Sequence, residues 1–198
     1  MGIMRVDIRS REELERFYVQ LVMKGLALGA TWADYARIFV APGEVLKWEE
    51  AGFKGYMVPF PRILDLTELA EFSARAAGTP ILTETGAVRC HPDLVASAWA
   101  DEGRLLVAAY RFRTGWHPEP GFFTPAEEAE AKPVWVAVSK RALREHGFVK
   151  RKPGFKFRLI GPDGLPVPSG KFEVRPNPEA LVIAGDIPEG HLLLAEAE

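Results

Sequence analysis

The feature that most constrains this chain is a change of texture at Pro80. Beyond it the apolar residues come in short runs: Ile81 to Thr83, Arg104 to Phe112, Val134 to Val138, Phe155 to Ile160, Phe172 to Val174, Leu181 to Ile183 and His191 to Leu194. Such runs, rich in Val, Ile, Leu and Phe, are too short for amphipathic helices and read as strands. Between them stand reversals such as Gly161-Pro-Asp-Gly164, Pro168-Ser-Gly170 and Pro176-Asn-Pro178. Proline presets φ and glycine supplies positive φ, so these segments turn tightly and favour antiparallel pairing. Small helices are expected at about 92 to 100 and 139 to 146, and a flexible excursion over about 114 to 132, which holds prolines and an acidic run but no strand period.

The residues before Pro80 follow a different period. Ser10 with Glu13 forms a capping box, and Leu14, Phe17, Tyr18, Leu21, Val22 and Leu26 recur at helical spacing. Further helices are expected over 32 to 39, from Pro42 to about Ala51, and over 65 to 77, where Gly78 acts as terminator. The sequence therefore predicts an α+β fold, with a helical N-terminal half followed by a β-rich C-terminal half of short antiparallel strands. The expected domains are 1–78, helical, and 79–198, β-rich with a mobile loop at about 114–132.

Composition narrows the setting. A chain of 198 residues with 47% hydrophobic and 26% charged residues can bury a full core and is not a disordered tail. There is one Gln (Gln20), one Asn (Asn177), one Cys (Cys90) and 16 prolines, which points to a heat-adapted source. A lone cysteine allows no intrachain disulfide and no thiolate metal cage, so no cofactor is expected and no metal site either. No run reaches the roughly 18 apolar residues of a membrane span, and the N-terminal residues lack a secretory pattern; the expectation is cytoplasmic residence without a membrane partner.

Charge is spread unevenly. The net formal charge is −2, yet residues 139 to 175 sum to about +7 and residues 176 to 198 to about −5. The basic block interleaves Lys150, Arg151, Lys152, Lys156 and Arg158 with Phe148, Phe155, Phe157 and Phe172. Cations release counterions from phosphate and aromatic rings stack on unpaired bases, so these five cations are a candidate nucleic-acid patch.

Residues 31 to 52, TWADYARIFVAPGEVLKWEEAG, give a helix, a tight turn and a second helix with Val45 and Trp48 on its inner face. The segment resembles the helix-turn-helix of the Cro and phage-repressor group, and also that of MerR-type regulators, on Ala36-Arg37, Val40-Ala41-Pro42-Gly43, Val45 and Lys47-Trp48-Glu49. The Cro-like comparison extends weakly over 10 to 77. The resemblance implies DNA as partner, transcription regulation as role, and Lys47 and Lys54 as contacts to the DNA backbone. Because 31 to 52 sum to about −2, the basic block would supply the remaining phosphate contacts.

The expected function is thus a non-enzymatic, DNA-associated regulatory protein. The alternative is a structural or assembly protein, such as a virion component or complex subunit, that works by contact with a protein partner or as a homo-oligomer. A third reading, a small Mg-dependent nuclease, rests on Pro92-Asp93 and Glu130-Ala131-Lys132, a loose match to carboxylates that hold Mg²⁺ and a lysine that steadies phosphate. No nucleophile elbow, P-loop or dinucleotide fingerprint is found, and no catalytic residue is nominated.

Overall fold

A computed structural model describes residues 11–30, 67–76, 78–111, 131–150 and 153–197. Within them run helix α1 (Arg11–Ala27), helix α2 (Thr67–Arg75), strands β1 (Ile81–Leu82), β2 (Val88–Cys90), β3 (Leu94–Ala100), β4 (Leu105–Arg111) and β5 (Lys132–Ser139), helix α3 (Lys140–Glu145), and strands β6 (Phe155–Ile160), β7 (Pro166–Val167), β8 (Glu173–Arg175), β9 (Ala180–Ile187) and β10 (Leu192–Ala197). The strands form two antiparallel sheets. One has six strands in the order β1-β3-β4-β10-β6-β7, the other four in the order β2-β5-β9-β8.

Strand alternation builds three layers from these elements. Leu105, Val107 and Ala109 of β4 and Leu193, Ala195 and Ala197 of β10 meet Val134, Val136 and Val138 of β5 and Leu181, Ile183 and Ile187 of β9 in one core between the sheets. The opposite phase of the large sheet, Trp99, Leu106, Ala108, Tyr110, Ile160, Leu192 and Leu194, packs on Val22, Met23 and Leu26 of α1 and Leu69 and Phe72 of α2. Helices, six-stranded sheet and four-stranded sheet are stacked in that order.

Small side chains at the middle of the large sheet let α1 approach. Ser97 lies opposite Ala108, and its buried hydroxyl donates to the Leu26 carbonyl at 2.7 Å, satisfying an acceptor of the last helical turn. The helix then stops in a Schellman arrangement: the Gly29 N–H bonds the Leu26 carbonyl at 3.0 Å and the Ala30 N–H the Gly25 carbonyl at 2.9 Å, with Gly29 at φ 91°. A Cβ on Gly29 would stand 2.6 Å from Leu82 Cδ2, so both backbone conformation and space require glycine.

Two expectations are corrected here. The α+β division with a helical N-terminal half is overturned, because the described residues are mostly strands in two antiparallel sheets with three short helices and no helical half. Amphipathic spacing does produce α1 and α2, and among the described residues their stripes are buried against the strands of the large sheet. Within α1 the buried stripe is Val19, Val22, Met23, Leu26 and Ala27, with Leu21 half-buried. The helix expected at 92 to 100 is strand β3, whose seven residues pair with β4 along their whole length. The expected helices at 32 to 39 and from Pro42, and all of the 114 to 132 excursion except residues 131 and 132, lie outside the described residues.

Candidate interaction surface

Of the seven predicted nucleic-acid residues, Lys150, Lys156 and Arg158 are described. Lys47, Lys54, Arg151 and Lys152 lie outside the described residues. Lys150 is exposed in the segment after α3, and Lys156 is exposed on β6, opposite Glu196 of β10. Arg158 points toward the helical layer and forms ion pairs with Glu68 of α2 and Glu196 of β10. Glu196 also accepts from Arg75 Nη2 at 2.7 Å, so two guanidiniums and two carboxylates clasp α2 to the large sheet. That clasp engages both terminal nitrogens of Arg158 within the fold. The aromatic members of the basic block are likewise turned inward: Phe148 is buried, while Phe155, Phe157 and Phe172 lie half-buried against the core between the sheets. Phe157 stands 5.7 Å from Phe155 and 5.5 Å from Phe172, ring centre to ring centre.

At one end of the sandwich the chain crosses from β9 to β10. There Arg111, buried between the sheets, donates from Nη1 to the Ile187 carbonyl at 2.5 Å and has Glu189 3.8 Å from its Nη2. His191 Nδ1 lies 2.9 Å from the Glu189 carbonyl. Burial holds the His191 imidazole below its usual pKa, opposed by that carbonyl and by Asp163. The two sheets are thus joined at this corner by the buried Arg111 cation.

Of the charged residues named for a nuclease, Asp93 and Lys132 are described. Asp93 sits in the turn before β3, its N–H on His91 Nδ1 at 3.2 Å, Lys132 is exposed at the start of β5, and Glu130 is outside the described residues. Among the described residues no group of three or more His, Cys, Asp or Glu side chains is placed to hold a metal. Burial raises the Cys90 pKa, and the thiol donates to the Leu94 carbonyl at 3.4 Å, so it is held as a thiol rather than a thiolate.

The outer face of the four-stranded sheet is different. Val134, Val136 and Val138 take the inward phase of β5, which turns Pro133, Trp135 and Ala137 outward. From β9 the same face receives Val182, Ala184 and Asp186, because Trp135 pairs with Ala184, Ala137 with Val182 and Pro133 with Asp186. Trp135 keeps 37% of its surface exposed. Around this apolar centre stand charges: Arg89 of β2 opposite Ala137, and Glu173 and Arg175 of β8 opposite Ala184 and Val182. Arg175 Nε bonds Glu173 Oε1 at 2.6 Å. Arg89 and Asp186 are exposed, and neither has an ion pair among the described residues. A tryptophan ringed by small apolar residues and a charged rim has the composition of an interface anchor.

Sequence reading passed over Trp135, although a signal was present. In Lys132-Pro-Val-Trp-Val-Ala-Val138 the valines occupy one phase of a strand and the tryptophan the other, so burying the valines turns the indole outward. Comparison with known proteins adds no relative: no family model, no curated protein and no solved structure matches the chain. No helix among the described residues is long and apolar enough to cross a membrane.

Proposed function

We infer that this chain is a non-enzymatic assembly protein, a structural subunit that works through protein–protein contact, with the outer face of the four-stranded sheet as its contact surface. The observation that carries the reading is Trp135, exposed at the centre of a sheet face with Ala137, Val182 and Ala184 beside it and charged residues around it. Large aromatic side chains bind most of the energy of protein interfaces when a polar rim excludes water around them. The scarcity of Gln, Asn and Cys supports a heat-adapted source for the same protein. The test is a photo-crosslinkable amino acid in place of Trp135, irradiated in extract of the native source. An adduct containing polypeptide is expected; an adduct only with nucleic acid, or none, overturns the reading.

A second reading keeps DNA as partner and regulation as role. It is supported by Arg144 and Lys150, exposed on and just after α3 and without ion pairs among the described residues. Its measurement is a mobility shift on random-sequence duplex and single-stranded DNA at 50 and 200 mM salt. Contact through several phosphates predicts a loss of affinity of about ten-fold or more between the two salts.

A further inference from the structure

We propose that the partner seated on this face is a second copy of the chain, related by a two-fold axis that lies in the face and passes through Trp135. The inference rests on the protein-contact reading and commits it to one occupant.

The argument is positional. Arg89 lies on β2, opposite Ala137, one strand and one outward row away from Trp135. Asp186 lies on β9, opposite Pro133, one strand and one outward row away in the opposite direction. With strands about 4.8 Å apart and outward rows about 6.8 Å apart, each charge is roughly 8 Å from the Trp135 backbone, on a diagonal that runs through it. An in-plane two-fold perpendicular to that diagonal exchanges the two charged positions. It sets each Arg89 over the second copy's Asp186 and brings the Trp135 side chains together on the axis.

An isologous contact demands such self-complementarity, because every residue meets what its symmetry mate presents. A random rim would as readily place like charges opposite each other, at a cost in specificity. Arg175, two strands and one outward row from Trp135, falls on the axis and faces the second copy's Arg175, its charge offset within each copy by Glu173 at 2.6 Å. The axis direction implies that the two outer faces cross at a large angle, nearer the orthogonal class of sheet packing than the aligned one.

The experiment is sedimentation velocity on the purified full chain over a range of concentrations, with circular dichroism to verify folding of each variant. The wild type is expected to pass from 22.0 kDa to twice that mass as concentration rises. Trp135→Glu should raise the dimer dissociation constant by about 100-fold or more, as hot-spot removal does. Arg89→Asp and Asp186→Arg should each raise it by about ten-fold or more. The double variant carries Asp at 89 and Arg at 186, and should return to within about three-fold of wild type, because each copy then offers the exchanged pair. A wild type that stays monomeric at all concentrations, or a double variant no better than the single ones, overturns the proposal. If the chain is monomeric while the crosslinker at position 135 captures a different polypeptide, the second copy is refuted and the protein-contact reading stands. Absence of any polypeptide adduct refutes both.

Discussion

The six-stranded and four-stranded sheets share one core but differ in what covers their other face. Strand β4, Leu105 to Tyr110, is buried on both sides, with Val107 toward the small sheet and Leu106 and Tyr110 toward the helices. Strand β5 puts its valines in the core and leaves Pro133 and Trp135 exposed on its other face. The contrast teaches that a tryptophan in a strand means opposite things in the two sheets. Trp99 is 2% exposed and meets Phe72 of α2 edge to face, 6.0 Å between ring centres, whereas Trp135 on the outer face of the small sheet is 37% exposed.

The widest separation between the sheets should come from truncating these two residues. Trp99→Ala empties a site between β3 and α2 and is expected to lower stability by about 3 to 5 kcal/mol. Trp135→Ala, measured by chemical denaturation of the monomer, should cost less than about 1 kcal/mol. Equal losses would break the comparison.

The helical layer depends on the ion-pair clasp as well as on apolar burial. Glu196→Ala leaves Arg75 and Arg158 facing one another in a largely buried site, and a loss of about 2 to 4 kcal/mol is expected. Arg158→Ala removes the cation shared by Glu68 and Glu196 and should act in the same direction. A cost below about 0.5 kcal/mol for either would show that the clasp behaves as an exposed surface pair.

On the small sheet the corresponding weak point is a glycine. Phe172, in the segment before β8, rests against Gly185 of β9, where any Cβ would press into the ring. Gly185→Ala must push that ring out of its stack with Phe157, at an expected cost of about 1 to 3 kcal/mol. Tryptic cleavage after Lys171 should accelerate in parallel, because the ring anchors this segment to the sheet.

The smallest effect belongs to the corner that joins the sheets. The folded state holds His191 neutral, with a pKa below that of the unfolded chain. At pH values above about 6.5 both states are deprotonated and nothing is lost; as pH falls below that value the unfolded state takes up a proton first, and stability declines toward the folded pKa. His191→Gln should remove this part of the slope between pH 7 and pH 5, read by urea denaturation at each pH. An unchanged slope would remove His191 from the corner's energetics.

Legibility of the chain tracks how local the deciding physics is. Helix α1 and the strands at Val134 to Val138 and Phe155 to Ile160 follow from short-range period, and so do the turns at Gly161 to Gly164. Strand β3 does not, because Leu94-Val-Ala-Ser-Ala-Trp-Ala100 is as good a helix former as a strand, and its pairing with β1 and β4 decides the matter. The two-sided burial of the large sheet is equally invisible locally, which is why the helical segments read as a half of their own. For the basic block, the identity of Arg158's partners depends on Glu68, 90 residues away. Charge counts along the sequence cannot distinguish a cation aimed at phosphate from one aimed at a carboxylate across the fold. Trp135 was within reach of local reasoning, since its phase is fixed by its valine neighbours.

Strand β10 stands between β4 and β6 in the large sheet. During synthesis the β3–β4 hairpin is made early, and β6 follows it, but neither meets the other until residues 192 to 197 emerge and fill the space between them. Until that moment two apolar strand edges are open, and α1 has only part of the floor on which its stripe is buried. The two pairings that join β1-β3-β4 to β6-β7 therefore wait on one late segment, which makes completion of the large sheet a slow event. On the ribosome, the nascent protein is a client for anything that shields those edges until residues 192 to 197 emerge.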